Sequence, residues 1–144
     1  MAEIFKLEGP GAAVPQARPR LTTIGGHARA YDPPKSKAYK ELVRECAVWQ
    51  CRPDLNNLYL DAVKIKVTEY RAIPASWSKV RRAKALDGVI KPVTKPDTDN
   101  ILKIIKDALN GVFWKDDAQV VHDEIIKVYS AEPHVSVEVE YLQA

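Results

Sequence analysis

Apolar residues recur along this chain at two spacings, which predict an alternation of helices and strands. The helical spacing is clearest between residues 97 and 110. A helix there is predicted to begin near Thr98 or Asp99 and to end at Asn110-Gly111, with Gly111 in the left-handed cap conformation. Its polar side carries Asp99, Lys103, Lys106, Asp107 and Asn110. Its buried stripe consists of Ile101, Leu102, Ile105, Ala108 and Leu109.

The remaining patterns predict two further helices and several strands. The helices span residues 36–51 and residues 76 to about 86, the second with Ser76 as its N-cap. The glycine pair Gly25-Gly26 predicts a hairpin over residues 21–31. Further strands are predicted at residues 4–8, 59–70, 118–129 and 134–142. The last two strands are close enough in sequence to form an antiparallel pair.

These elements predict an α+β fold, in which a mixed or antiparallel sheet has helices packed on one face. The chain contains no linker, internal repeat or low-complexity tract, so residues 1–144 are predicted to form a single domain. A chain of this length buries roughly two-thirds of its unfolded surface, which is enough for a substantial core.

Composition and charge narrow the function only slightly. A hydrophobic content of 46%, a charged content of 28% and a net charge of +3 are ordinary for a globular protein and permit a polyanionic partner. We interpret Cys46 and Cys51 as reduced thiols, and we expect neither a signal peptide nor a membrane span. A cytoplasmic protein without a membrane partner is therefore expected. A P-loop NTPase is a poor alternative, because the chain has no Gly-x-x-x-x-Gly-Lys-Ser/Thr segment.

Two aspartates at the start of the predicted helix are the strongest candidates for chemistry. Inside a regular helix Asp97 and Asp99 would lie about 200° apart and could not share an ion. Pro96 favours an extended backbone before it, and in an extended segment residues i and i+2 point the same way. Both carboxylates can therefore meet at the helix N-terminus.

A third carboxylate can return to the same place. The helix to Asn110 runs about 17 Å, and an extended segment from Gly111 to Asp117 can run back about 20 Å. Three carboxylates without a soft donor suit Mg²⁺, with Mn²⁺ as a plausible substitute, and such ions serve phosphoryl chemistry. Lys103 lies one turn after Asp99 and could neutralise charge on a phosphate or hold the attacking water.

A purely structural interpretation of the same residues is also open, and from spacing alone it is the commoner one. Asp97 would then cap the helix, and Asp99 and Lys103 would form a surface ion pair. Asp116 and Asp117 would belong to an ordinary turn.

Residues 95–121 resemble the signature of the RusA-type Holliday junction resolvases, small endodeoxyribonucleases of bacteria and their phages. The signature opens with Asp-x-Asp-Asn, matched by Asp97, Asp99 and Asn100, and has a lysine four residues later, matched by Lys103. Its Asp-Ala-Leu is matched by Asp107-Ala108-Leu109, and its closing aromatic-x-Asp-Asp-x-Gln by residues 114–119. Weaker similarity extends to residues 15–20 and the following hairpin, whereas the segment 76–95 looks longer than in compact members.

This resemblance implies a RusA-like fold and a catalytic set of Asp97, Asp99, Lys103 and Asp117, with the three aspartates as metal ligands. It also implies a homodimer that binds four-way junction DNA and cuts two strands symmetrically in the presence of Mg²⁺, during recombination and repair in a bacterial or phage-infected cell. The competing hypothesis is a non-catalytic DNA-binding protein whose acidic patch is screened by a metal. Clustered acids favour the enzyme, because a pure DNA binder would prefer lysine there.

Residues for DNA binding are predicted outside this signature. Pro15 and Pro19 keep an arm extended, from which Arg18 and Arg20 project, and we add Arg29 and Lys95 as candidate phosphate contacts. Two sets of cations are equally explained as DNA contacts or as solvated surface: Lys35, Lys37 and Lys40, and Lys79, Arg81, Arg82 and Lys84.

Aromatic and acidic neighbours of the signature complete the predictions. Phe113 and Trp114 are predicted core anchors, with a wedge between junction bases as the alternative. Of Asp123 and Glu124, strand alternation allows only one to face the site.

Overall fold

The computed structural model describes residues 3–18 and 20–142. Pro19 of the predicted arm lies outside the described residues, as does the side chain of Arg20. The strands are β1 (Glu3–Pro10), β2 (Arg20–Ile24), β3 (His27–Tyr31), β4 (Val63–Ala72), β5 (Val120–Ser130) and β6 (His134–Tyr141). The helices are α1 (Pro34–Cys51), α2 (Lys79–Leu86), α3 (Thr98–Leu109) and a short 3₁₀ helix (Asp117–Gln119).

Four of the strands form a mixed sheet in the order β1-β6-β4-β5. β4 and β5 are parallel, whereas β6 is antiparallel to both β1 and β4. β2 and β3 form a separate two-stranded ribbon that turns at Gly25-Gly26. The predicted α+β class, the mixed sheet and the hairpin are confirmed.

The predicted pairing of the last two strands is wrong, because β4 lies between them. The connection at residues 131–133 crosses two inter-strand spacings, about 10 Å, which three extended residues can reach. β4 takes the central position because Val63, Ile65 and Val67 are fully buried on the helix side of the sheet. A central place between two strands gives these apolar side chains more cover than an edge would.

Helices α1 and α3 lie on one face of the sheet and contact each other there. α3 is amphipathic, and its fully buried residues include Ile101, Ile104 and Ile105. The opposite face of the sheet carries charged side chains such as Lys64, Lys66 and Glu138. In the described part of the chain, no helix is long and apolar enough to cross a bilayer.

The predicted elements differ from the observed ones in several places. α1 begins at Pro34, since proline suits the first helical turn. Ser78 rather than Ser76 caps α2, because its side chain accepts a hydrogen bond from the Arg81 backbone. β4 begins at Val63 instead of Tyr59, whose backbone forms an isolated bridge with Trp114. In α3, Ile104 is buried and Leu102 only half-buried, so the core stripe is rotated slightly from the predicted one.

This rotation predicts different stabilities for two variants of the same helix. Ile104→Ala should lower the free energy of unfolding by about 2–5 kcal/mol, because it leaves a cavity in a fully packed core. Leu102→Ala should lower it less, because that side chain is already partly exposed. Urea unfolding of both variants measures the difference, and an equal loss for the two would contradict this description of the core.

Candidate active site

The N-terminus of α3 presents two carboxylates that the fold does not use. Asp97 occupies the N-cap position with an extended backbone (φ −74°, ψ 154°), but its side chain makes no capping hydrogen bond. Asp99 follows in the first turn of the helix. Within residues 3–18 and 20–142, neither carboxylate forms an ion pair, and neither does Lys103. Asp97 is therefore the N-cap by position but without a side-chain capping bond, and the described residues do not show the ion pair of Asp99 with Lys103.

Asp117 lines the same shallow pocket as the polar face of α3. The pocket has a volume of about 210 Å³ and is lined by Asp99, Leu102, Lys103, Lys106 and Asp117. The structure thus brings together three of the four predicted catalytic residues. Asp97 is not among the lining residues, although it directly precedes the helix that carries two of them.

Two buried or half-buried donors hold one oxygen of Asp117. The indole Nε1 of Trp114 donates to Asp117 Oδ1 over 2.8 Å, and Asn110 Nδ2 donates to the same oxygen over 3.0 Å. Trp114 is fully buried, so the prediction that it and Phe113 are core anchors is confirmed. The second oxygen, Oδ2, receives neither of these bonds and remains available to a ligand.

Sequence reasoning missed this orienting role of Trp114 and Asn110. A signal was available for the tryptophan, since a buried indole N–H requires an acceptor and two acids, Asp116 and Asp117, follow within three residues. Asn110 gave no such signal, because its place at the end of a helix is already explained by capping.

Asp116 and Asp117 have separate roles despite being neighbours. Asp116 caps the 3₁₀ helix by accepting from the Ala118 backbone, while Gln119 accepts from the backbones of Lys115 and Asp116. The Gln119 amide also donates to the carbonyls of residues 59 and 61. The turn interpretation therefore holds for Asp116 alone, and this rigid turn presents Asp117 toward the pocket.

The donor chemistry fits a hard divalent cation, but the carboxylates are not gathered around one point. In the described part of the chain, no group of three or more His, Cys, Asp and Glu side chains could hold an ion as it stands. Asp117 is attached to Asn110 at the C-terminal end of α3, whereas Asp97 and Asp99 lie at the other end. Binding one ion with all three therefore requires movement: Asp97 and Asp99 are exposed, whereas Asp117 is half-buried and held by two donors. The ligand set stays a prediction.

Lys106, the second lysine of this pocket, pairs with a further acid, Asp123. Lys106 Nζ is 3.4 Å from Asp123 Oδ2, and Asp123 stands opposite Ile65 on the helix side of the sheet. Glu124 lies on the other side, where it pairs with His122 and Lys64. The hydrogen bond from His122 is the main reason that the pKa of Glu124 is lowered. Asp123 is thus the one of the two acids that faces the site.

Three of the four predicted DNA-binding residues have side chains that the structure describes, and all three lie at the surface. Arg18, Arg29 and Lys95 are exposed, as are the other described side chains of the β2–β3 ribbon. The chain segment before the ribbon is held next to the aspartates, because the Gln16 backbone donates to the Asn100 carbonyl over 3.1 Å. Asp32, which directly follows the ribbon, accepts hydrogen bonds from the side chains of Gln16 and Lys40.

Of the lysines whose role was left open, Lys40 is now explained by the fold. Its Nζ lies 2.5 Å from a carboxylate oxygen of both Asp32 and Asp107, and so joins the end of the ribbon to α3. Although burial opposes its charge, these hydrogen bonds raise the pKa of Lys40. Both contacts occupy its ammonium group, which removes it from the candidate phosphate contacts.

Comparison with known proteins identifies the family. Residues 10–140, most of the chain, match the model of the family described as Endodeoxyribonuclease RusA. The chain belongs to the RusA endodeoxyribonuclease family. An uncharacterized protein of Bacillus subtilis (strain 168), YqaN, is 41% identical over 136 residues, which cover 93% of this chain and 94% of YqaN.

Membership of the RusA family confirms the resemblance found in residues 95–121. It makes the chain a DNA endonuclease of the class that acts on Holliday junctions, and it decides against the non-catalytic DNA-binding hypothesis. RusA endonucleases are in general metal-dependent, which agrees with the carboxylate donors of the pocket.

Loss of the indole donor is predicted to impair cleavage without unfolding the protein. Trp114→Phe keeps an aromatic ring in the core but leaves Asp117 with Asn110 as its remaining donor, so DNA cleavage should fall about 10- to 100-fold. Trp49→Phe, at an exposed position of α1, is the matched control and should cleave normally. Equal cleavage rates for the two variants would mean that the Trp114 bond does not orient a functional carboxylate.

Proposed function

We propose that this RusA-family chain resolves four-way DNA junctions as a homodimer by Mg²⁺-dependent, symmetric paired nicking during recombination and repair. The observation that carries the proposal is the convergence of Asp99, Lys103 and Asp117 on one pocket, with the Asp99 and Lys103 side chains unpaired in the described chain. A fold that needed these charges for stability would pair them with each other or with neighbouring backbone groups.

Asp97, Asp99 and Asp117 are the proposed metal ligands. All three donate carboxylate oxygens, the ligand type that Mg²⁺ prefers, and Mn²⁺ is an expected substitute. A bound divalent ion supplies an activated water and stabilises negative charge at the phosphate. The bonds from Trp114 and Asn110 hold one oxygen of Asp117 and leave its other oxygen for the ion, toward which Asp97 and Asp99 must move.

Lys103 is the proposed cationic group for the reacting phosphate. It lies one turn after Asp99 on the same helix face and lines the same pocket. Its ammonium group makes no ion pair in the described chain, so it can approach the phosphate and offset charge that develops during phosphodiester hydrolysis.

A homodimer suits the substrate, because a two-fold junction is cut on two strands and each subunit then presents one site to one strand. The proposal locates the enzyme where its substrate is, in the cytoplasm of a bacterial or phage-infected cell.

The β2–β3 ribbon and its flanking arm are the proposed contacts to the junction arms. Between Gly9 and Tyr31 the sequence contains Arg18, Arg20 and Arg29 and no acidic residue. A two-stranded ribbon is marginally stable alone and fits a DNA groove. The hydrogen bond from the Gln16 backbone to the Asn100 carbonyl keeps a bound arm beside the aspartates, and the exposed Lys95, two residues before Asp97, adds a cation there.

The metal-ligand proposal predicts a separation of cleavage from binding. Asp99→Asn and Asp117→Asn should abolish cleavage, because a neutral amide is a poor ligand for Mg²⁺, whereas affinity for a four-way junction should survive. A junction nicking assay with and without Mg²⁺, together with a gel-shift assay in Ca²⁺, measures the two properties.

Asp116→Asn is the matched control for this experiment. Asparagine still caps the 3₁₀ helix, so this variant removes the same charge one residue away and should cleave like the wild type. Full cleavage by Asp99→Asn, or equal losses for Asp116→Asn and Asp117→Asn, would contradict the assignment.

The ribbon proposal predicts a change in the salt dependence of binding. Arg29→Ala should weaken junction binding equally for junctions of different base sequence. It should also reduce the slope of the logarithm of the binding constant against the logarithm of salt concentration by about 1, as expected for one lost phosphate contact. Lys66→Ala, on the uncovered face of the sheet, removes the same charge away from the ribbon and should leave the slope unchanged. Identical slopes for both variants would remove Arg29 from the binding surface.

A further inference from the structure

The segment that leads into Asp97 lacks backbone support of its own. Residues 91–96 belong to no helix or strand, and within the described chain they make no backbone-to-backbone hydrogen bond. An unsupported segment of this kind would leave the position of the next residue variable. Its carbonyl groups nevertheless accept several hydrogen bonds, all from side chains of the sheet.

Arg71, on the central strand β4, supplies most of these bonds. Its Nη1 donates to the Thr94 carbonyl over 2.7 Å and to the Lys95 carbonyl over 3.2 Å, and its Nη2 donates to the Pro96 carbonyl over 3.3 Å. Nη1 also lies 3.1 Å from the Thr94 hydroxyl. One guanidinium group therefore holds three successive carbonyls in the residues just before Asp97.

Lys127, on the neighbouring strand β5, binds the same segment. Its ammonium group donates to the Thr94 carbonyl over 3.0 Å and to the Pro96 carbonyl over 3.3 Å. Two of the three carbonyls thus have two cationic donors each, and the donors come from two adjacent strands of the rigid sheet.

Glu69 fixes the direction of the guanidinium group. This carboxylate is 3% exposed, and its two oxygens accept from Arg71 Nε over 3.1 Å and from Nη2 over 2.8 Å. Register pairs Glu69 with Lys127, so the three side chains form one cluster. A buried ion pair is a weak source of net stability, but a bidentate one holds its partner in a single orientation.

We propose that Glu69, Arg71 and Lys127 form a carbonyl clamp whose function is to position Asp97 for metal binding. The clamp fixes the carbonyl of Pro96, which is joined directly to Asp97, and thereby limits where the Asp97 carboxylate can reach. The proposal rests on the proposed role of Asp97 as a metal ligand and adds the residues that hold it in place.

These residues act through the backbone and not on the substrate. The five N–H groups of Arg71 are directed at Glu69 and at the segment, so none is left for a phosphate. None of the three residues lines the pocket of Asp99, Lys103 and Asp117. They are therefore positioning residues, whose loss should change metal affinity more than DNA affinity.

Arg71→Lys and Lys127→Met test the clamp. Lysine keeps the positive charge beside Glu69 but cannot donate the directed set of bonds. Lys127→Met leaves the Glu69–Arg71 pair intact and remains informative if Arg71→Lys folds poorly. Lys64→Met is the matched control. Lys64 is on β4, like Arg71, but its side chain faces the other side of the sheet and pairs with Glu124. Asp97→Asn serves as the benchmark for a lost ligand.

Two measurements are made on each folded variant: Mn²⁺ binding to the free protein by electron paramagnetic resonance, and junction cleavage as a function of Mn²⁺ concentration. We expect both midpoints to rise about 10- to 100-fold in the clamp variants, as for other groups that orient metal ligands. Cleavage should return toward the wild-type rate at saturating Mn²⁺, and junction affinity and the control variant should be unchanged. A purely structural role would lower the melting temperature without moving the midpoints.

The outcomes separate this inference from the function on which it rests. If Asp97→Asn shifts the Mn²⁺ midpoint and neither clamp variant does, the clamp is overturned while the metal-ligand assignment stands. If Asp97→Asn leaves the midpoint unchanged, the assignment of Asp97 fails, and the clamp fails with it.

Discussion

The burial of one face of α3 is the constraint on which the whole site depends. Ile101, Ile104 and Ile105 are completely enclosed between the sheet and α1, so the helix cannot rotate about its axis without exposing them. Its other face is thereby held at the surface with Asp99 and Lys103 in fixed relation, one turn apart. Apolar packing, which has no chemistry of its own, determines where the charges of the site lie.

Hydrogen bonds to neighbouring segments hold the chain at or just before the residues that carry the other two carboxylates, Asp117 and Asp97. The 3₁₀ turn at Asp117 is fastened to residues 59 and 61 through Gln119, and the buried Trp114 aims one oxygen of Asp117. On the opposite side, strand side chains hold the segment before Asp97. Unpaired charge is thus concentrated in a pocket whose surroundings are well satisfied, an arrangement typical of functional sites rather than of stabilising ion pairs.

Local patterns in the sequence were sufficient for most elements, whereas the candidate residues of the site depended on the resemblance to a family signature. Period and capping signals identified α3, the glycine hairpin and both terminal strands, because these features depend on neighbours in the chain. Which strands pair was not accessible, since β4 separates β5 from β6 through the burial of distant side chains. The burial of Ile104 in place of the predicted Leu102 has the same cause, because the position of the sheet decides which side of the apolar face of α3 is covered.

Within the site, sequence identified charges but not their partners. The resemblance to the RusA signature singled out Asp117 over Asp116, but the capping bonds that give Asp116 its separate role appear only in the folded turn. Glu69, Arg71 and Lys127 are ordinary charged residues of two strands. Nothing in their spacing connects them with the segment before Asp97, which lies more than twenty residues from Arg71 along the chain. Such contacts arise from tertiary structure, which is why reasoning from the sequence missed both the clamp and the bond from Trp114.

We propose that carboxylates from the two ends of α3 close on a divalent ion. Anomalous scattering from a crystal soaked in Mn²⁺ tests it most directly. The account predicts a peak within about 2.2 Å of oxygens from Asp97, Asp99 and Asp117, with the Trp114 bond to Asp117 still in place. A peak bound by other residues, or Asp117 turned away from an ion held by Asp97 and Asp99, would contradict it.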